Sequence, residues 1–170
     1  MARYRNMTIE ETIPIVEAHH QKYKNSCSPS IIEILLKLEG IVDSDYYELQ
    51  NTYENQNVGL DFAREKTIKN VTFHQHNLQN DGPFIVRIKN ELRAGRFVGV
   101  YMLNDGSQTD HHGWVVVEIK NDEIILRSKY SELGNGEGCQ TAECSLHISK
   151  AIPPKMTDLV FYTLPCSPLG

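Results

Sequence analysis

A cysteine at the start of an apolar helix is the residue of this sequence best placed to do chemistry. Cys27 stands 112 residues before the next cysteine (139 − 27) and opens the run Cys27-Ser28-Pro29-Ser30. That run predicts a helix through about residue 39, with Ser28 as cap, Pro29 at the first helical position and Gly40 at the exit. Ile31, Ile32, Ile34, Leu35, Leu36 and Leu38 leave only Glu33 and Lys37 as strongly polar positions, so the helix is expected to be buried nearly all round. A thiol beside the first-turn N–H groups sits at the positive end of the helix dipole, which favours the nucleophilic thiolate. A thiolate also needs an imidazole partner, and the oxyanion formed on attack needs donors. Gln21, six residues upstream (27 − 21), offers an amide. His112 heads the strand-like run His112-Gly113-Trp114-Val115-Val116-Val117, where a sheet would hold the imidazole rigidly. His111 adjoins it, and on a strand the two face opposite sides.

The run Gln21-Lys22-Tyr23-Lys24-Asn25-Ser26-Cys27, with five residues between Gln and Cys, resembles the signature of papain-like cysteine peptidases. The run HGWVVVEI at 112–119 is similar to that family's His-plus-small-residue strand, which leads through a hairpin to a strand ending in Asn or Asp. The nearest likeness is to the small bacterial branch that includes the leader-peptide-cleaving domains of bacteriocin exporters. There a helix, a Gly and a strand precede the catalytic His, as 83–103 does here. The resemblance covers most of residues 15–130. It implies one papain-like α+β domain over 1–170, in which an N-terminal helical lobe (about 15–70) with a buried central helix packs on a C-terminal antiparallel β-sheet lobe (about 71–170). It also implies Cys27 as nucleophile, His112 as base, and Gln21 with the Cys27 N–H as oxyanion hole. The reaction would be acyl transfer through a thioester on a peptide or protein substrate, with no cofactor. Side-chain deamidation and cell-wall amide cleavage use the same constellation. Two positions depart from the family pattern. Ser28 follows the nucleophile where a smaller residue is usual, and Ser128 stands sixteen residues after His112, where the family has Asn or Asp. A hydroxyl can accept from an imidazole N–H but carries no charge. The alternatives are therefore a Cys–His pair with a weak third member and a catalytically inactive binding module of the same shape.

The remaining chain must position these groups. The first 25 residues read as mostly extended or irregular, and further helices are expected at about 43–55, 59–69 and 83–94. Strands are expected at 71–76, 97–103, 114–120, 123–128 and 159–164, with Asn121-Asp122 as a hairpin turn and 131–146 as a loop. Helices first and an antiparallel sheet afterwards give an α+β arrangement. Residues 77–83 and 104–110 would rim a cleft between the lobes. His19, His20, His74 and His76 read as surface or sheet-edge residues, Trp114 as core or cleft wall, and Asp110 as a turn former.

Rival chemistry is confined to the late cysteines. Cys139, Cys144 and His147 would give three ligands to zinc, with Cys166 or another His as a fourth, but the spacing is not a common zinc spacing. Free thiols are the preferred reading. Cys139 as a nucleophile following His112 would need an upstream Gln, and 133–138 holds none. Among all 170 residues, 17 Lys and Arg against 22 Asp and Glu give a net charge of −5, the wrong balance for a phosphate-backbone binder. No apolar run is long enough to span a membrane, and the start shows no signal-like segment, so a cytoplasmic protein is expected.

Overall fold

In the computed structural model the described residues are 9–23, 26–53, 60–77, 84–103, 111–120, 123–127, 130–131, 146–148 and 156–165. The elements in chain order are α1 (Ile9–Ala18), β1 (His20–Gln21), α2 (Cys27–Leu38), α3 (Glu48–Thr52), a 3-10 turn (Leu60–Ala63), β2 (Lys66–Ile68) and β3 (Val71–Asn77). They continue with α4 (Phe84–Arg93), β4 (Val98–Leu103), β5 (His111–Lys120), β6 (Glu123–Arg127), β7 (Tyr130–Ser131), β8 (Leu146–Ile148) and β9 (Met156–Thr163). The arrangement is α+β, as the order of apolar patterns predicts.

Among the described residues seven strands form one antiparallel sheet in the order β2-β3-β9-β4-β5-β6-β8, and β1 pairs in parallel with β7 apart from it. One face carries Val71, Phe73, Tyr101, Val115, Val160 and Tyr162, which share a buried core with Val16 of α1 and the apolar side chains of α2. The other face carries Val98, Val100, Val116, Leu159 and Phe161, all buried. Here α4 packs against β4, burying Ile88 and laying Arg87 over the Phe161 ring at 4.0 Å. The sheet is thus a middle layer, with α2 on one side and α4 on the other.

Every residue of α2 from Ser28 onward is buried, as its composition requires. The helix begins two residues earlier than Ser28 capping implies. Ser26 occupies the cap position without a capping side-chain bond, and Pro29 falls third, still within the turn that needs no N–H partner. Its exit is a Schellman turn: Gly40, at φ 74°, donates to Lys37 O, and Ile41 donates to Leu36 O.

Three expectations are corrected. Residues 9–18 are helical, not extended, because Thr12 and Val16 repeat one buried stripe that outweighs the hydrogen bond lost at Pro14. The helix expected at 43–55 shrinks to Glu48–Thr52. The one expected at 59–69 gives way to the 3-10 turn and β2, because Lys69 and Asn70 take φ of 53° and 65° and turn the chain directly into β3. The loop expected at 131–146 is bordered by β7 and β8, and residues 132–145 lie outside the described residues.

Candidate active site

The direction of α2 across the sheet decides which residues it can serve. At its C-terminal end, Tyr162 Oη donates to Glu39 Oε1 at 2.8 Å and accepts from the backbone N–H of Phe97, just before β4, at 3.1 Å. Burial, with Glu39 alongside, pushes this phenol well above its ordinary range. Further along, a Cβ placed on Gly99 would stand 2.7 Å from Ile31 Cγ2 and 3.8 Å from Leu35 Cδ1. The helix therefore runs antiparallel to β4. Ile31 to Cys27 covers about 6 Å of helix, about two residues of strand beyond Gly99, so the start of α2 points toward the end of β4, near the Tyr101–Gly113 pair and one pair short of Leu103–His111.

The same register separates the two histidines. Gly99 approaches α2, and its partner on β5 is Val115, a member of the α2-facing core. Tyr101 pairs with Gly113 and Leu103 with His111, so 111, 113 and 115 occupy the α2-facing positions. Position 112 is in phase with Trp114 and Val116 on the α4 side. The register thus favours His111 over His112 as a partner for Cys27. Trp114 is half-buried on that opposite side.

Gln21 lies in β1, fully buried, and is paired with Ser131 of β7. Its Nε2 donates to Tyr23 O at 3.0 Å, which fixes the plane of the amide just before the helix start. What holds this segment is a buried polar network absent from the sequence reading. Gln50, from α3, accepts from the Lys22 N–H and from Ser26 Oγ, each at 2.8 Å. Its Nε2 donates to His20 O at 2.9 Å and to Glu33 Oε1 at 2.7 Å. The N–H groups of Leu49 and Gln50 donate to Glu33 Oε2, each at 3.1 Å. Lys37 Nζ lies 2.8 Å from His19 Nδ1 and also donates to Ser44 O at 2.7 Å. An ammonium at Nδ1 makes that nitrogen the acceptor, so Nε2–H donates to Glu33 Oε1 at 3.1 Å. The neutral ring bridges Lys37 and Glu33 while stacking on Tyr47, 4.7 Å between centroids.

Burial raises the Glu33 carboxyl from 4.5 to about 7, against the opposing pull of the Gln50 amide, the backbone N–H donors and Lys37. Burial likewise lowers Lys37, with Glu33 opposing. His19 is wholly buried, a correction to the surface reading. The signal for it lies in α2 itself: two charged residues four apart on a helix with no solvent face must find partners inside. His20 and His74 are half-buried and His76 is exposed, as expected of sheet-edge residues.

Ser128, Asp110, Cys139, Cys144 and Cys166 lie outside the described residues, as do 78–83 and 104–110 of the expected cleft rims. His147 belongs to β8, paired with Ile125. Among the described residues there is no group of three His, Cys, Asp or Glu arranged for a metal ion, and no helix long and apolar enough to cross a membrane. No family model, characterised protein or solved structure matches this chain.

Proposed function

We propose that this protein is a papain-like thiol hydrolase acting on a peptide or related amide, with Cys27 as nucleophile and His111 as base. The observation that supports the reading is the direction of α2, whose start points toward the end of β4 and the start of β5, with His111 at a helix-facing register position. The chemistry follows from that pairing. A Cys27 thiolate, favoured by the helix dipole and an adjacent imidazolium, attacks the substrate carbonyl. The Cys27 N–H and the Gln21 amide supply donors to the oxyanion. The imidazolium then gives its proton to the leaving amine as a thioester forms, and water activated by the imidazole releases the acid. Ser128, immediately after β6, is the candidate for orienting the imidazole. A peptide bond is the default substrate, ahead of a deamidated side chain or a cell-wall amide.

The test is the rate at which iodoacetamide alkylates each cysteine between about pH 4 and pH 9, read by peptide mass spectrometry. An ordinary thiol ionises at about 8.5. Cys27 is expected to react fast well below that pH, to lose the advantage in His111→Ala, and to keep it in His112→Ala. Alkylation of Cys27 no faster than that of Cys166, or unaffected by His111→Ala, would overturn the assignment.

A further inference from the structure

The α2-facing side of the sheet carries a second polar feature, on β9 and β3 rather than on β5. Asp158 occupies the row Asn77–Asp158–Tyr101–Gly113, and Gln75 the neighbouring row Gln75–Val160–Gly99–Val115. Leu103 and His111 form the pair beyond Tyr101 and Gly113. The Asp158 row is therefore one pair short of the Leu103–His111 pair, and Asp158 itself lies two strands across from β5, about 12 Å from the position assigned to the base. Asp158 is 7% exposed and Gln75 9%. Gln75 Nε2 donates to Asp158 Oδ2 at 3.0 Å, which fixes the orientation of the amide and turns Oε1 elsewhere. That Oε1 is buried and has no hydrogen-bond donor among the described residues. The amide is also the one hydrogen-bond donor to the Asp158 side chain among those residues, and no described Lys, Arg or His forms an ion pair with it.

A buried carboxylate without a counter-ion, beside a buried carbonyl oxygen without a donor, costs stability that this sheet position could avoid with two apolar residues. Both deficits are acceptor deficits, and one ligand group corrects both: a cation rich in N–H donors. We propose that Asp158 and Gln75 form a recess for an ammonium or guanidinium group. Resting on the hydrolase reading, this recess takes a Lys or Arg side chain of the substrate away from the scissile bond. Asp158 supplies the charge and Gln75 Oε1 a further acceptor. A divalent metal ion would want six or more oxygens, and Asp158 is the only carboxylate in the two rows.

Binding is measured separately from turnover, on the full chain carrying Cys27→Ala, by NMR titration with Nα-acetyl-lysine amide and Nα-acetyl-arginine amide. Nα-acetyl-norleucine amide serves as the uncharged analogue. Saturable shifts at Gln75, Asp158 and Tyr101 with the cationic probes, and at least about 10-fold weaker binding of the norleucine probe, are expected. Asp158→Asn should weaken the cationic probes by about 10-fold or more and leave the norleucine probe unchanged. Should Asp158→Asn fail to fold, Gln75→Leu serves, with a several-fold loss expected. Equal affinity for lysine and norleucine probes, the same shifts produced by calcium or magnesium alone, or shifts absent from these strands would each overturn the recess. Retained amine binding in a protein whose Cys27 alkylates as an ordinary thiol would overturn the hydrolase reading and leave the recess standing.

Discussion

Replacing Glu33 by Gln probes the buried network that anchors the approach to Cys27. In the folded protein the carboxyl protonates near 7, and in the unfolded chain near 4.5. Between those values the folded state holds a proton that the unfolded chain has released, so stability must fall as pH rises through the window. Moving the carboxyl from 4.5 to about 7 corresponds to about 3 kcal/mol, at 1.36 kcal/mol for each tenfold change. That contribution is fully present below about pH 4.5 and gone above about pH 7. Glu33→Gln removes the titration but sets an NH2 against donors, because one Glu33 oxygen faces Gln50 Nε2 and His19 Nε2 and the other faces two backbone N–H groups. The variant should therefore be less stable by about 1–3 kcal/mol even where the wild type is at its weakest. Urea unfolding of both proteins at about pH 4.5, 5.5, 6.5 and 7.5 reads the difference directly. The gap is expected to narrow by up to about 3 kcal/mol across the series as the wild type loses its advantage. A gap constant with pH would refute the assignment of the titration to Glu33. Lys37→Met should move the window upward, since Lys37 is one of the groups holding the carboxyl down.

Two further changes test the positioning of α2 and the hairpin. Gly99→Ala puts a methyl into the helix–sheet contact and should cost about 1–3 kcal/mol. Combining it with Ile31→Ala should cost less than the sum of the single changes in urea denaturation, and strict additivity would show that the two do not meet. Lys69→Asn with Asn70→Gly suits a turn in which both residues have positive φ, and should raise stability by about 1 kcal/mol. A fall in the urea midpoint would mean that the two side chains contribute more than the turn backbone.

How much could be read in advance depended on how local the signal was. The run from Cys27 to Leu38 declares a buried helix because its apolar residues leave no polar face. The β-branched runs of β4, β5 and β6 declare strands. Proline at position 14 hid α1, and β2 was hidden because Lys66-Thr67-Ile68 is short and polar and turns through Lys-Asn rather than Asn-Gly. The polar network could not be read because its partners are remote: Glu33 meets residues 14 to 17 positions away, and Gln50 reaches 30 positions back to His20. The phase of the two histidines was illegible for a different reason. Val115 and Val116 are both fully buried, one on each face, so β5 shows no alternation to tell inside from outside. Pairing with β4 distinguishes 111 from 112, and pairing is not a local property.

The position of β9 has a consequence for how the protein is made. The strand at residues 156–163 lies between β3 and β4, hydrogen-bonded to both, and β3 and β4 are not neighbours without it. While a ribosome is still synthesising the chain, the sheet can exist only as two fragments, β2–β3 on one side and β4-β5-β6-β8 on the other, each with an open edge. Completion waits until residue 163 has left the exit tunnel, and it closes loops of more than 80 residues between Thr72 and Thr163. Such high contact order predicts folding in milliseconds to seconds, and chaperone dependence for chains that stall before the last strand emerges.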